Sequence, residues 1–240
     1  ELYPGRIDLG LGRAPGTDRI TMRALRRDRV ETEEDFPNDV QELQHLLGEP
    51  QPGQPIIAMP GAGTQVPIWL LGSSLYSAQL AAQLGLPFAF ASHFAPRMLM
   101  QAIQIYRQTF RPSQQLAAPY VAIGVPLVAA PSDEEATYLA SSTHQRVLGI
   151  LTGRRGQLPP PVENFLSSLD SGAQAAIADF LAAAVIGGPD TVRAGLQQLA
   201  ALTQANELVL VSDVYDAESR RRSLDIAAAA ARELNAAVAQ

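Results

Sequence analysis

Residues 72–77 read Gly-Ser-Ser-Leu-Tyr-Ser and put the hydroxyls of Ser73, Ser74 and Ser77 next to one another at the start of a helical pattern. An apolar run, Val66 to Leu71, precedes them, so the motif sits where a buried strand hands over to a helix. The first N–H groups of a helix have no intrahelical acceptor and the dipole there is positive, so such a junction suits a phosphate or a carboxylate. The plainer alternative is that Ser73 or Ser74 only caps the helix. Arg13 closes an alternation of Ile7, Leu9 and Leu11 against Asp8, Gly10 and Gly12. The ends of parallel strands carry the chemistry of α/β folds, and an arginine placed there is either a phosphate ligand or an ion-pair partner. His93 ends a third apolar segment, PFAFAS, and is followed by Phe94 and Pro96. Its imidazole could act as acid, base or donor in a cleft shared with Arg13 and the serines, or simply bond a loop carbonyl.

Other chemistry is excluded or weak. Gly10, Gly12 and Gly16 have the spacing G-x-G-x-x-x-G, broken by Pro15 and followed by no immediate helix, which does not fit a dinucleotide fingerprint. Their simpler role is to leave room on the inner face of a strand and to loosen its exit. Gly61-Ala62-Gly63-Thr64 lacks the lysine of a P-loop and reads as loop. There is no cysteine, and the three histidines lack metal-ligand spacing; His45 and His144 fall in helical patterns and are expected to face solvent. A net charge of −6 and a pI near 5.1 argue against a nucleic-acid partner. The basic run Arg220-Arg221-Arg222 reads as a solvated helix face. No apolar run is long enough to span a bilayer and no signal peptide is visible, so the expectation is a soluble, cytoplasmic protein.

The elements that must position these residues alternate. Strands are expected at Arg6–Arg13, Val66–Leu71, Pro87–Ser92, Tyr120–Ala130 and Glu207–Val214. Helices are expected at Asp35–Leu47 with Asp35 as N-cap, Leu75–Leu84 stopping at Gly85, Ala95–Phe110, and from Ser132 to about Leu151. Two further helices bracket AVIGGPDT, and a last one runs from Asp216 to Ala239. No hairpin dipeptide joins the strands, and crossover helices imply a parallel sheet. Five such strands fit an open doubly wound sheet or part of a closed eight-stranded barrel.

Three stretches resolve this choice by resemblance. ELYPGRIDLGLGRAPGTD, VPIWLLGSSLYSAQLAAQLGLPFAFASHFAP, and AVIGGPDTVRAGLQQL with ELVLVSD resemble the later portion of bacterial luciferase-like flavin-dependent monooxygenases, over essentially the whole chain. The resemblance implies an α/β (β/α)8 TIM barrel represented by about strands 4–8, with the first three βα units absent. Residues 1–240 then form one incomplete barrel domain, and 152–185 a variable insertion acting as a lid. It also implies an FMN-dependent monooxygenase using oxygen on a small organic substrate, with a deazaflavin-dependent reductase or a non-catalytic flavin-binding fragment as alternatives. By the same resemblance Arg13, with Ala14 and Pro15 beside it, and Leu71, Ser73, Ser74 and Ser77 meet the cofactor phosphate, while His93 is the catalytic candidate. A flavin reductase is implied as partner, and a homodimer for the full-length form.

Overall fold

The structure is a computed structural model that describes residues 3–13, 35–154 and 156–238. Its backbone divides into two compact units, 1–90 with 101–121, and 91–100 with 122–240.

The first unit holds three parallel strands, β1 (Leu9–Gly12), β2 (Ile68–Gly72) and β3 (Phe88–Phe90), in that spatial order. Helix α1 (Phe36–Leu47) precedes β2, α2 (Leu75–Leu84) joins β2 to β3, and α3 (Leu99–Thr109) follows β3. Asp35 does not cap α1: its backbone is already helical and its side chain makes no cap bond, so Pro37 in the first turn is the starting signal that holds. The predicted helix over Ala95–Phe110 opens instead with a 3₁₀ turn, Pro96–Met98, because Pro96 offers no N–H to an α-helical first turn. Helix α2 ends where expected, with Gly85 in the left-handed region at φ 63°. A side chain there would also collide with the backbone of Arg111.

Aromatic packing organises this core. Tyr106 is fully buried; its hydroxyl donates to the Leu86 carbonyl at 2.9 Å and accepts from the Tyr120 N–H at 3.1 Å. Its ring packs on Phe88 at 5.5 Å and Phe110 at 5.6 Å between centroids. Burial pushes the Tyr106 pKa up to about 12, so the hydroxyl stays protonated and keeps both bonds.

The second unit is built on β4 (Val121–Ala129), whose residues from Ala122 onward belong to it and whose nine positions are all buried. That is the pattern of a parallel strand covered on both faces. β6 (Glu207–Val211) pairs with its first half, Ala122 to Pro126, and β5 (Val185–Gly187) with its end, Leu127 to Ala129, both in parallel. β5 is absent from the five expected strands: three residues ending in Gly-Gly-Pro are too short to display a period of two. Helices α4 (Asp133–Leu151), α5 (Ser171–Phe180), α6 (Pro189–Thr203) and α7 (Ala217–Val238) complete the unit. Ser132 caps α4 as expected, its hydroxyl accepting from the Glu135 N–H at 3.2 Å. Asp133 then reaches out of its own helix: its carboxylate accepts from the Gly188 N–H at 2.6 Å and the Thr191 hydroxyl at 3.1 Å, at the start of α6. Those two bonds hold its pKa below the usual carboxylate value.

Candidate functional site

In the first unit the parallel register sets Gly12 of β1 beside Leu71 of β2, so Arg13 and Gly72 leave the sheet side by side at its C-terminal edge. The Leu71 side chain lies over Gly10, where a Cβ would come within 2.8 Å of it. Gly10 of β1 therefore makes room for a neighbouring strand's side chain, the simpler role expected of it. Past Gly72 the chain turns into α2 through Ser74, and Ser74 and Ser77 cap one another. The Ser77 N–H donates to the Ser74 hydroxyl at 3.3 Å, and the Ser74 N–H to the Ser77 hydroxyl at 3.4 Å. The Ser77 hydroxyl also donates to the Ser74 carbonyl at 2.8 Å. Gly72 is what admits Ser77 to this position, since a Cβ on it would overlap the Ser77 side chain.

The capping alternative is thus realised at Ser74, with Ser77 as its reciprocal partner, and not at Ser73. Ser73 is exposed and stands outside the reciprocal cap, and the first-turn N–H groups of Leu75 and Tyr76 have no intrahelical acceptor. The Arg13 guanidinium lies over the Tyr76 ring, 4.4 Å from its centre, which holds a cation beside the positive end of α2. Arg13, Ser73, Ser74, Ser77 and Leu71 are therefore brought to one place. Ala14, Pro15 and Gly16 lie outside the described residues. Tyr76 is a member of this candidate site that sequence reasoning missed; it stands inside the quoted motif, but no local spacing announces an arginine from far upstream.

His93 belongs to the second unit. Its ring packs on Phe94, 4.1 Å between centroids, and its Nδ1 is buried without a hydrogen-bond partner. Gly124 of β4 is the surface it rests against, where a Cβ would overlap the imidazole. The preceding Ser92 is fixed by a 2.5 Å bond from its hydroxyl to the Gly124 carbonyl. Burial lowers the His93 pKa; nearby Asp213 opposes this and Arg146 adds to it. At neutral pH the imidazole is therefore neutral. Arg146 and Asp213 form an ion pair of 2.5 Å, both side chains about a third exposed or less. Neither was foreseen, because they come from α4 and from beyond β6. His144, expected on a solvated face, is 6% exposed, and burial lowers its pKa too. The face of α4 that carries it is covered by the chain after Pro161, where the Val162 N–H donates to the Ser141 hydroxyl at 2.7 Å. Arg220, Arg221 and Arg222 are exposed as expected. Among the described residues no cluster of histidine and carboxylate side chains could hold a metal, and no helix is long and apolar enough to cross a membrane.

A strand-end arginine beside a serine-capped helix start, on parallel strands joined by helices, is an arrangement found in α/β enzyme domains. The sequence model of the luciferase-like monooxygenases matches residues 1–205, and the chain belongs to that family. Its fold class is accordingly that of the luciferase-like TIM barrels. A luciferase-like monooxygenase from Escherichia coli strain K12 is 45% identical over 233 residues, 97% of this chain and 70% of the relative. The crystal structure of apo-MsnO8 superposes with a TM-score of 0.79 at 33% identity, covering 96% of this chain and 70% of that one. A type II Baeyer–Villiger monooxygenase, the oxygenating constituent of 3,6-diketocamphane monooxygenase from Pseudomonas putida solved with FMN, shares the fold. It does so with a TM-score of 0.60 at 17% identity, over 93% of this chain and 69% of that one.

Proposed function

We propose that the chain binds FMN by its phosphate at the junction of β1, β2 and α2 and serves a flavin-dependent monooxygenase that uses oxygen on a small organic substrate. The observation that carries the reading is the Arg13 guanidinium held over Tyr76, in the first turn of a helix whose cap leaves two N–H groups for a ligand. The residues present fit a phosphate: a fixed cation, an exposed Ser73 hydroxyl, and a Gly72 whose missing side chain keeps the turn tight. Arg13 offsets one of the dianion's two charges, the Leu75 and Tyr76 N–H groups donate to its oxygens, and the Ser74–Ser77 cap keeps those groups aimed. Leu71 covers the strand edge beside them.

Bound FMN supplies the redox chemistry and the activation of oxygen. His93 is the residue we assign to proton handling: a neutral imidazole with a buried, unpartnered Nδ1 can hold or accept a proton without first losing one. In this reading a separate flavin reductase delivers the reduced cofactor, and the full-length protein works as a homodimer in the cytoplasm. Arg13→Ala combined with Ser74→Ala is expected to weaken FMN binding at least tenfold, about 1.4 kcal/mol, in a fluorescence titration. Unchanged affinity removes the site, and tighter binding of a deazaflavin than of FMN replaces the monooxygenase reading by a hydride-transfer one.

A further inference from the structure

A cleft of about 510 Å³ lies within the second unit, along the last two turns of α4 and the segment after it. That volume is in the range of sites for small organic ligands. Gln145, Arg146 and Ile150 reach it from one face of α4, Arg154 follows the helix, and Phe94 and Phe180 supply aromatic walls. Among the described residues the lining contains two arginines and no carboxylate, in a chain whose net charge is −6.

Two carboxylates beside these walls are already engaged. Asp213 takes one nitrogen of Arg146 at 2.5 Å, and Asp179, next to Phe180, bonds Arg97 at 2.6 Å. Arg146 is not saturated by its pair, since its Nε is buried with no partner. Arg154 has its backbone fixed: its N–H donates to the Gly149 carbonyl at 2.7 Å, in a turn that a Cβ on Gly149 would obstruct. The position from which this arginine enters the lining is thereby set by the end of α4.

We infer that this cleft takes an organic monoanion, its apolar body against Phe94, Ile150 and Phe180 and its charged head at Arg146 and Arg154. On the reading given under Proposed function, which this inference deepens, that anion is the oxidised substrate. Arginine suits the role because its fork can meet two oxygens of one head group, and the aromatic walls favour an alkyl or aryl body over a sugar. The pairing of Arg146 with Asp213 leaves Arg154 as the side chain whose charge the ligand answers.

Calorimetric titration with octanoate and with octanamide, which differ chiefly in charge, tests this. Octanoate is expected to bind at least tenfold tighter than octanamide, and the difference to shrink as salt is raised. Arg154→Gln should remove most of the octanoate preference and leave octanamide unchanged, while Arg154→Lys keeps the preference. Equal affinity for the two probes, no binding of octanoate, or an octanoate affinity indifferent to Arg154→Gln each overturns the inference. FMN titrated into Arg154→Gln should give the unsubstituted affinity. If FMN fails to bind the unsubstituted chain while octanoate behaves as stated, the flavin reading falls and the anion cleft stands.

Discussion

The guanidinium of Arg13 lies 4.4 Å from the centre of the Tyr76 ring, so an arginine at the end of one strand is held by an aromatic residue in the first turn of the helix after the next. An exposed cation–π contact contributes about 0.5–1 kcal/mol. Tyr76→Leu is therefore expected to weaken FMN binding about two- to fivefold by that same energy, and Tyr76→Phe to leave it near the unsubstituted value. Identical dissociation constants for all three proteins would show that Arg13 needs no holder.

Gly72 makes a different kind of contribution. A methyl group on it would overlap the Ser77 side chain, which closes the cap of α2. Losing such a cap costs about 0.5–2 kcal/mol. Gly72→Ala should lower the unfolding free energy by that amount in urea titration, and adding Ser77→Gly should restore the part due to overlap though not the cap. A Gly72→Ala protein as stable as its parent is the contrary result.

Tyr106 joins the Leu86 carbonyl and the Tyr120 N–H through one buried hydroxyl. Tyr106→Phe keeps the ring packing and strands both partners, at a cost of about 1–3 kcal/mol. Chemical denaturation should show this drop with FMN affinity retained, since the residue is remote in the chain from the Arg13 and serine positions. No loss of stability would mean that water or a shifted backbone satisfies both groups.

Protonation of His93 and His144 sets a pH trend. Both have folded-state pKa values lowered from the ordinary 6.5 by burial, so between those values and 6.5 the unfolded chain binds more protons than the folded one. Stability therefore rises with pH through that window and falls on acidification. For His93 the groups that act on it are Asp213 and Arg146, and their opposed effects leave burial dominant. Urea midpoints between pH 5 and 7 should climb in the parent protein, and His93→Gln and His144→Gln should each flatten the slope. A slope unchanged in both variants would assign the trend to other groups.

Much of this could be read from residue types. The end of α2 at Gly85, the Ser132 cap and the strand-end placement of Arg13 and the serines follow from local rules that tertiary packing did not overturn. What failed was set by partners distant in sequence. His144 has the spacing of an exposed helix position, and only the chain after Pro161 covers it. β5 earns its strand geometry from pairing with Leu127 to Ala129, which three residues cannot signal alone. Asp35 has the residue type of a cap, but its backbone is helical, and a cap residue must be extended to turn its side chain back. Tyr76, Arg146 and Asp213 complete their sites through contacts whose sequence separation carries no periodicity.

Asp133 begins one helix and bonds the N-cap amide of another. The two helix starts are consequently one unit of local opening: the Gly188 amide cannot exchange its hydrogen without releasing the carboxylate in the first turn of α4. Exchange protection at residues 188–192 thus reports on the order of a segment fifty-odd residues earlier.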